Sequence, residues 1–227
     1  LWGALTADKK LTYVVGVFNG RTGGPDADDN LLYAGRISYN FLDVEKNPGY
    51  YTSSTYYGKG GDILTVGFAA QWEEDALGTA AASGDFLGYS VDLLGETTLG
   101  NGAVATIEGE YKRFDLDGVA SGQSSGDALG MFEGDAYTGT ALYLLPGKVG
   151  IGQLQPYVRY TYNDDSSNSS QDREEYEAGI NYIIDGHNAR VSLMYQYGDL
   201  NSKGRLNYFD ATGDDVHAIK IGFQMQI

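Results

Sequence analysis

The sequence contains no cysteine, only 4 prolines and only 2 histidines in 227 residues. Without thiols there is no disulfide scaffold, no cysteine-ligated zinc, no iron–sulfur cluster and no thiol nucleophile. Basic residues are scarce as well: 15 Lys and Arg stand against 31 Asp and Glu, a net charge of -16. A nucleic-acid binder needs the opposite balance. No apolar run approaches the roughly 18 residues of a membrane helix. Neither a Gly-x-Ser-x-Gly elbow nor a phosphate-binding Gly-x-x-x-x-Gly-Lys-Ser/Thr loop occurs. Helix signals are nearly absent, since no long segment combines a 3.6-residue period with caps. A disordered chain is excluded too, with 42% hydrophobic and 20% charged residues. What is abundant is glycine, 33 residues, and tyrosine, 19 residues. The mean hydropathy of -0.32 suits a soluble chain, but strands that are apolar on one face only can also cross a bilayer.

One pattern recurs ten times: about ten residues of period-two alternation, then a break rich in Gly, Asp or Asn. Tyr33, Gly35, Ile37, Tyr39 and Phe41 share a face opposite Ala34, Arg36, Ser38 and Asn40. Leu154, Pro156, Val158, Tyr160 and Tyr162 alternate with Gln155, Tyr157, Arg159 and Thr161. Further runs lie at 64–72, 87–93, 105–112, 137–145, 176–184, 190–197 and 219–227. The first, Leu11 to Phe18, is apolar on both faces. Leu1 to Leu5 forms a stub ahead of it. Leu1 to Lys10 lack a basic segment followed by an apolar core, so they do not read as a signal peptide, and the chain is expected to begin mid-sequence.

The connections alternate between long and short. Gly198 to Asp215, Asn163 to Arg173, Phe114 to Asp135 and Glu73 to Asp85 are long. Asp185 to Asn188, Leu145 to Gly152 and Gly95 to Gly102 are short. Leu42 to Lys59 falls in the short set yet is long. Most of the acid lies in the long set. This is the asymmetry of an outer-membrane barrel, with short periplasmic turns and long external loops. The expected fold is all-β: one transmembrane antiparallel β-barrel domain over residues 1–227, with ten full strands and the N-terminal stub.

Aromatic residues sit at two depths. Tyr33, Trp72, Tyr89, Tyr111, Tyr137, Tyr160, Tyr176, Tyr195 and Tyr197 mark the long-loop ends of the strands. Tyr13, Tyr39, Phe41, Tyr143 and Tyr182 mark the short-turn ends. Between them one face is Val, Leu, Ile, Ala and Gly, so two aromatic girdles bound an apolar band. The other face carries Arg36, Lys112, Arg159, Arg190 and Lys220 together with Asp92, Glu108 and Glu110. A water-filled lumen accommodates these groups, whereas a soluble core would strand them. The cations either form an anion path or pair with neighbouring Asp92, Glu108, Glu110, Glu175 and Glu177.

The runs Leu11 to Gly20, Leu31 to Phe41, Gly49 to Trp72, Gly88 to Glu96, Tyr157 to Tyr162 and Lys220 to Ile227, in this order, resemble the phosphate-selective porin O/P family. The resemblance covers most of the chain and includes the Pro-Gly-Tyr-Tyr segment in the long exception at Leu42 to Lys59. It implies a sixteen-stranded trimeric barrel, of which the ten runs match the last ten strands and the stub the end of the sixth. The constriction loop then lies before Leu1. It also implies anion or phosphate passage. The terminal Ile227 departs from the aromatic that usually closes such barrels, with Phe223 four residues back.

The expected function is an outer-membrane porin: passive diffusion of small hydrophilic solutes, with an anion preference in view, from a homotrimer in contact with lipid and lipopolysaccharide. No cofactor, resident metal, nucleic-acid partner or enzymatic activity is expected. Asp26, Asp28, Asp29 and Asn30 are close-spaced oxygen ligands but lack the full calcium loop with its bidentate glutamate. Two other readings stay open. One is a non-conducting structural or adhesive barrel acting through its acidic loops. The other is an outer-membrane hydrolase using Asp214, Asp215 and His217 at the rim.

Overall fold

The computed structural model describes residues 1–21, 29–45, 55–119, 133–166, 172–201 and 212–226. These residues form eleven strands and no helix. The strands are β1 (Trp2–Ala4), β2 (Leu11–Phe18), β3 (Leu32–Asn40), β4 (Ile63–Thr79), β5 (Ala82–Thr98), β6 (Val104–Asp115), β7 (Gly134–Leu144), β8 (Gln153–Asp165), β9 (Arg173–Asp185), β10 (Ala189–Asn201) and β11 (Thr212–Met225). Each pairs antiparallel with the next in chain order, giving one sheet ordered β1 to β11. The ten alternating runs correspond to β2 to β11 and the stub contains β1, which pairs Trp2 with Val14 and Ala4 with Thr12. The sheet is open: β1 and β11 are not paired with each other.

The physical reason for the meander is local. Period-two alternation gives each run two chemically distinct faces, and the breaks supply left-handed backbone where the chain must reverse. Gly102 (φ 82) and Gly186 (φ 49) are such positions in short turns.

One connection differs from its sequence reading. Glu73 to Asp85 is not a long loop, because β4 and β5 continue to Thr79 and Ala82 and leave only Ala80 and Ala81 between them. A register shift between Glu73 and Leu77 absorbs the acidic Glu73-Glu74-Asp75 step, and Asp75 takes a φ of 54°. Beyond it, Leu77 pairs Gly84. Ala76, Leu77, Phe86 and Leu116 form a buried apolar cluster against Phe114 and Val119. An interruption of the alternation in sequence is here a bulge inside a continuous hairpin.

The distribution of burial is inverted relative to a water-soluble protein. The apolar face is exposed along the whole sheet: Ile37, Phe68, Val91, Ile107, Val158, Ile180, Leu193 and Phe223 all face outward. The polar face is the shielded one, with Ser38, Asn40, Thr65, Glu96, Thr106, Thr140, Gln155, Glu177, Asn181, Ser192 and Gln196 buried. Segments that leave the strands also fold onto this polar face, which makes it the inner side of the curl. Among the described residues no second layer covers the apolar side.

Candidate functional site

The exposed face carries both aromatic rows. At the long-loop end, Tyr111, Tyr137 and Tyr162 are direct cross-strand partners, as are Tyr160, Tyr176, Tyr197 and His217. Their rings pack side by side: Tyr111 lies 5.1 Å from Tyr137, Tyr160 5.1 Å from Tyr176, and Tyr33 stacks on Trp72 at 6.0 Å. Tyr89 continues the row at 6.1 Å from Tyr111. The hydroxyls end on polar partners. Tyr111 donates to Asp135 at 2.6 Å, Tyr160 and Tyr176 both donate to Glu174 at 2.8 Å, and Tyr197 donates to Asp215 at 2.6 Å. Tyr195 hydrogen-bonds His217 Nδ1 at 2.5 Å.

At the short-turn end, Tyr39 meets Phe41 edge to face at 4.8 Å. Tyr182 donates to the Val149 carbonyl and accepts from the Ile151 and Gly152 amides. The Tyr143 hydroxyl meets Asn101, and Tyr13 lies against Gly3. Tyr33 and Tyr39, Tyr137 and Tyr143, and Tyr176 and Tyr182 are each six positions apart. That spacing is about 20 Å along a strand, comparable with the roughly 25 Å apolar band of a membrane barrel.

The inner face carries the charges. Arg36 spans Gly67 on β4 to form a two-pronged pair with Asp92 on β5, one prong at 2.7 Å. Gly67 leaves room for this crossing, since a Cβ there would meet the guanidinium and displace it. Lys112 pairs with Glu110 at 2.9 Å. Arg159 pairs with Glu177 at 3.4 Å, bonds Thr140 and lies 5.8 Å from the Tyr157 ring centroid. Lys220 is electrostatically close to Glu175, and Arg190 to Tyr57. Glu108 occupies the same face beside Thr140. Arg36, Ala69, Ser90 and Lys112 stand level across four strands. Two cations thus flank a floor of small side chains, with their carboxylates one step towards the short turns.

A second feature of the inner face was not evident in the sequence. Residues 55–61, in the connection between β3 and β4, lie across it at the short-turn end. Glu96 on β5, 2% exposed, holds this segment. It accepts hydrogen bonds from the Tyr56 amide (3.0 Å), the Gly58 amide (2.8 Å) and the Thr55 hydroxyl (2.7 Å), and from Thr106 on β6 (2.8 Å). Tyr57 then packs on Val104, Leu144 and Ile183, contributed by β6, β7 and β9. Its ring centroid is 4.8 Å from that of His187 in the β9–β10 turn.

His187 Nε2 donates to the Thr55 carbonyl at 2.9 Å. The carbonyl can only accept, so the neutral ring carries its proton on Nε2. Burial, with Arg190 acting in the same direction, lowers the His187 pKa, although the Thr55 carbonyl pulls the other way. Burial likewise raises the Tyr57 phenol. The signals available in sequence were a long connection in the short-turn set and a glutamate on the polar face at a strand end. Neither specifies a contact 132 residues away.

His217 sits between Tyr195 and Tyr197 in the long-loop row, and Asp215 accepts from the Tyr197 hydroxyl. Asp26 and Asp28 lie outside the described residues, and among the described residues no cluster of three or more His, Asp or Glu is placed to hold a metal ion. Arg113 was not singled out. It follows Tyr111 on the exposed face and pairs with Asp135 at 2.8 Å, and its signal was a cation in the apolar register next to the girdle. Comparison with family models, with curated proteins and with solved structures finds no match.

Proposed function

We propose that this chain forms a transmembrane β-barrel of a Gram-negative outer membrane and acts as a passive diffusion channel for small hydrophilic solutes. The observation that carries the reading is the inverted amphipathicity. An apolar face half exposed over ten strands, bounded by two aromatic rows, would be very unfavourable in water, where exposed apolar patches are limited to a few hundred Å². In a bilayer the same surface is matched to lipid, the tyrosine hydroxyls and their carboxylates lie at the headgroups, and the polar face lines water. Lipid also demands that every backbone group be paired. The open edges at β1 and β11 therefore need partners in lipid, which the sixteen strands and trimeric assembly that the porin resemblance implies would supply.

The mechanism needs no chemistry and no energy source. Solutes move down their gradient through a lumen whose width and charge select them. Arg36, Lys112 and Arg159 each have a carboxylate partner, so the lumen presents alternating dipoles rather than an unbroken cationic ladder. Ion preference is accordingly weak, and this segment by itself gives no strong phosphate selectivity. Planar-bilayer recording on the full protein tests the proposal. Discrete single-channel steps with a reversal potential near zero in a salt gradient are expected; a folded, inserted protein without conductance would overturn it.

A further inference from the structure

We infer that residues 55–61 form a fixed bar that sets the size limit of the channel at its short-turn mouth, with Tyr57 as the residue that determines it. The inference rests on the channel reading above. The bar is held at three places on one face of the sheet. Glu96 anchors its start on β5, with two backbone amides and one hydroxyl of the segment donating to a single carboxylate. Tyr57 fills the slot made by Val104, Leu144 and Ile183. His187 secures Thr55 and stacks with Tyr57 from the β9–β10 turn. Thr55 thus bonds both Glu96 on β5 and His187 in the β9–β10 turn, so the segment bridges parts of the wall that are four strands or more apart in the sheet and adds a second layer inside the curl.

Its backbone is shaped for this course. Tyr57 and Gly58 both take left-handed φ values, 56° and 76°. A Cβ on Gly58 would collide with Val104 and Thr98, so the chain lies directly against the wall. The flanks are fixed as well: Tyr56 donates to Glu45 at 2.8 Å, Asp62 accepts from Thr97 at 2.6 Å, and the Asp62 amide donates to Asp43 at 2.9 Å. The Tyr57 hydroxyl is buried beside Arg190 and Glu108, so Tyr57 acts through the bulk of its ring, which holds the segment in place against the wall.

The test compares wild type, Tyr57→Ala, Tyr57→Phe and His187→Ala in the same full-length protein. Single-channel conductance is read together with release of a graded series of neutral oligosaccharides from liposomes, and folding is checked by heat-modifiable electrophoretic mobility. Tyr57→Ala removes the plug in the slot and is expected to raise conductance and move the exclusion limit to longer sugars. His187→Ala removes one of the two holds on Thr55 and leaves Glu96 in place, and is expected to shift both in the same direction by less. Tyr57→Phe keeps the ring and is expected to keep the wild-type limit. A conducting wild type with folded Tyr57→Ala and His187→Ala proteins of unchanged conductance and exclusion limit would overturn the bar alone. If Tyr57→Ala does not fold, the His187→Ala result decides. No conductance from any of the proteins would instead overturn the channel reading, and the bar with it.

Discussion

Replacing Ile180 with arginine is expected to destabilise the protein strongly in a bilayer. Ile180 lies on the exposed face of β9 between Tyr176 and Tyr182, the two aromatic rows, and is 47% exposed. In lipid, an arginine near the middle of the band costs about 2–4 kcal/mol, a large part of the total stability of a typical fold. In water the same change at a half-exposed site away from caps and cores would fall within about 0.5 kcal/mol. Urea titration in lipid vesicles, with Thr161→Arg on the polar face as the comparison, reads the difference. The expected outcome is a large loss for Ile180→Arg and a small one for Thr161→Arg. Equal effects at the two positions would contradict a lipid-facing surface.

Removing the Glu96 carboxylate is expected to have the second large effect. Four donors converge on it, and three of them belong to residues 55–58. Leaving a buried donor unsatisfied costs about 1–3 kcal/mol each, so Glu96→Ala releases the segment rather than merely weakening it. Glu96→Gln keeps one acceptor and turns two donors towards groups that already donate, so it gives only partial protection. Amide hydrogen exchange at Tyr56 and Gly58 is the measurement. Exchange in Glu96→Ala should rise to that of an unprotected loop while the β6 and β8 strands stay protected. Unchanged protection would mean that the slot around Tyr57 alone holds the segment.

How much of this could be read from the sequence follows from the range of the interactions involved. The strands were legible because alternation is local. Tyr33 to Asn40 and Gln153 to Tyr162 declare their faces without reference to any other part of the chain. The antiparallel order was expected from the alternation of long and short connections. The alternation also put Arg36, Lys112 and Arg159 on the polar face of their strands, and the pairing of Arg36 with Asp92 was among the alternatives.

What stayed hidden depends on register or on distance. The Glu73-Glu74-Asp75 step ends the alternation and so read as a loop, while the structure absorbs it as a bulge that sends Leu77 into an apolar cluster with Phe86 and Leu116. The bar at residues 55–61 could not be foreseen, because nothing in its composition points to Glu96 or His187. Its only trace was a connection too long for its place. The acidic rim was visible as charge but not as structure: Asp135, Glu174 and Asp215 terminate the tyrosine hydroxyls of the outer row.

The central claim is that the polar face meets water while the apolar face meets lipid. Because the chain has no cysteine, single cysteines report one position at a time. Thr138→Cys and Thr161→Cys place thiols on the polar face; Val158→Cys and Ile180→Cys place them on the apolar face. With the protein folded in vesicles and probed by a charged, membrane-impermeant thiol reagent, labelling is expected at 138 and 161 and not at 158 and 180. Fast labelling at 158 and 180, with 138 and 161 protected, would contradict the account.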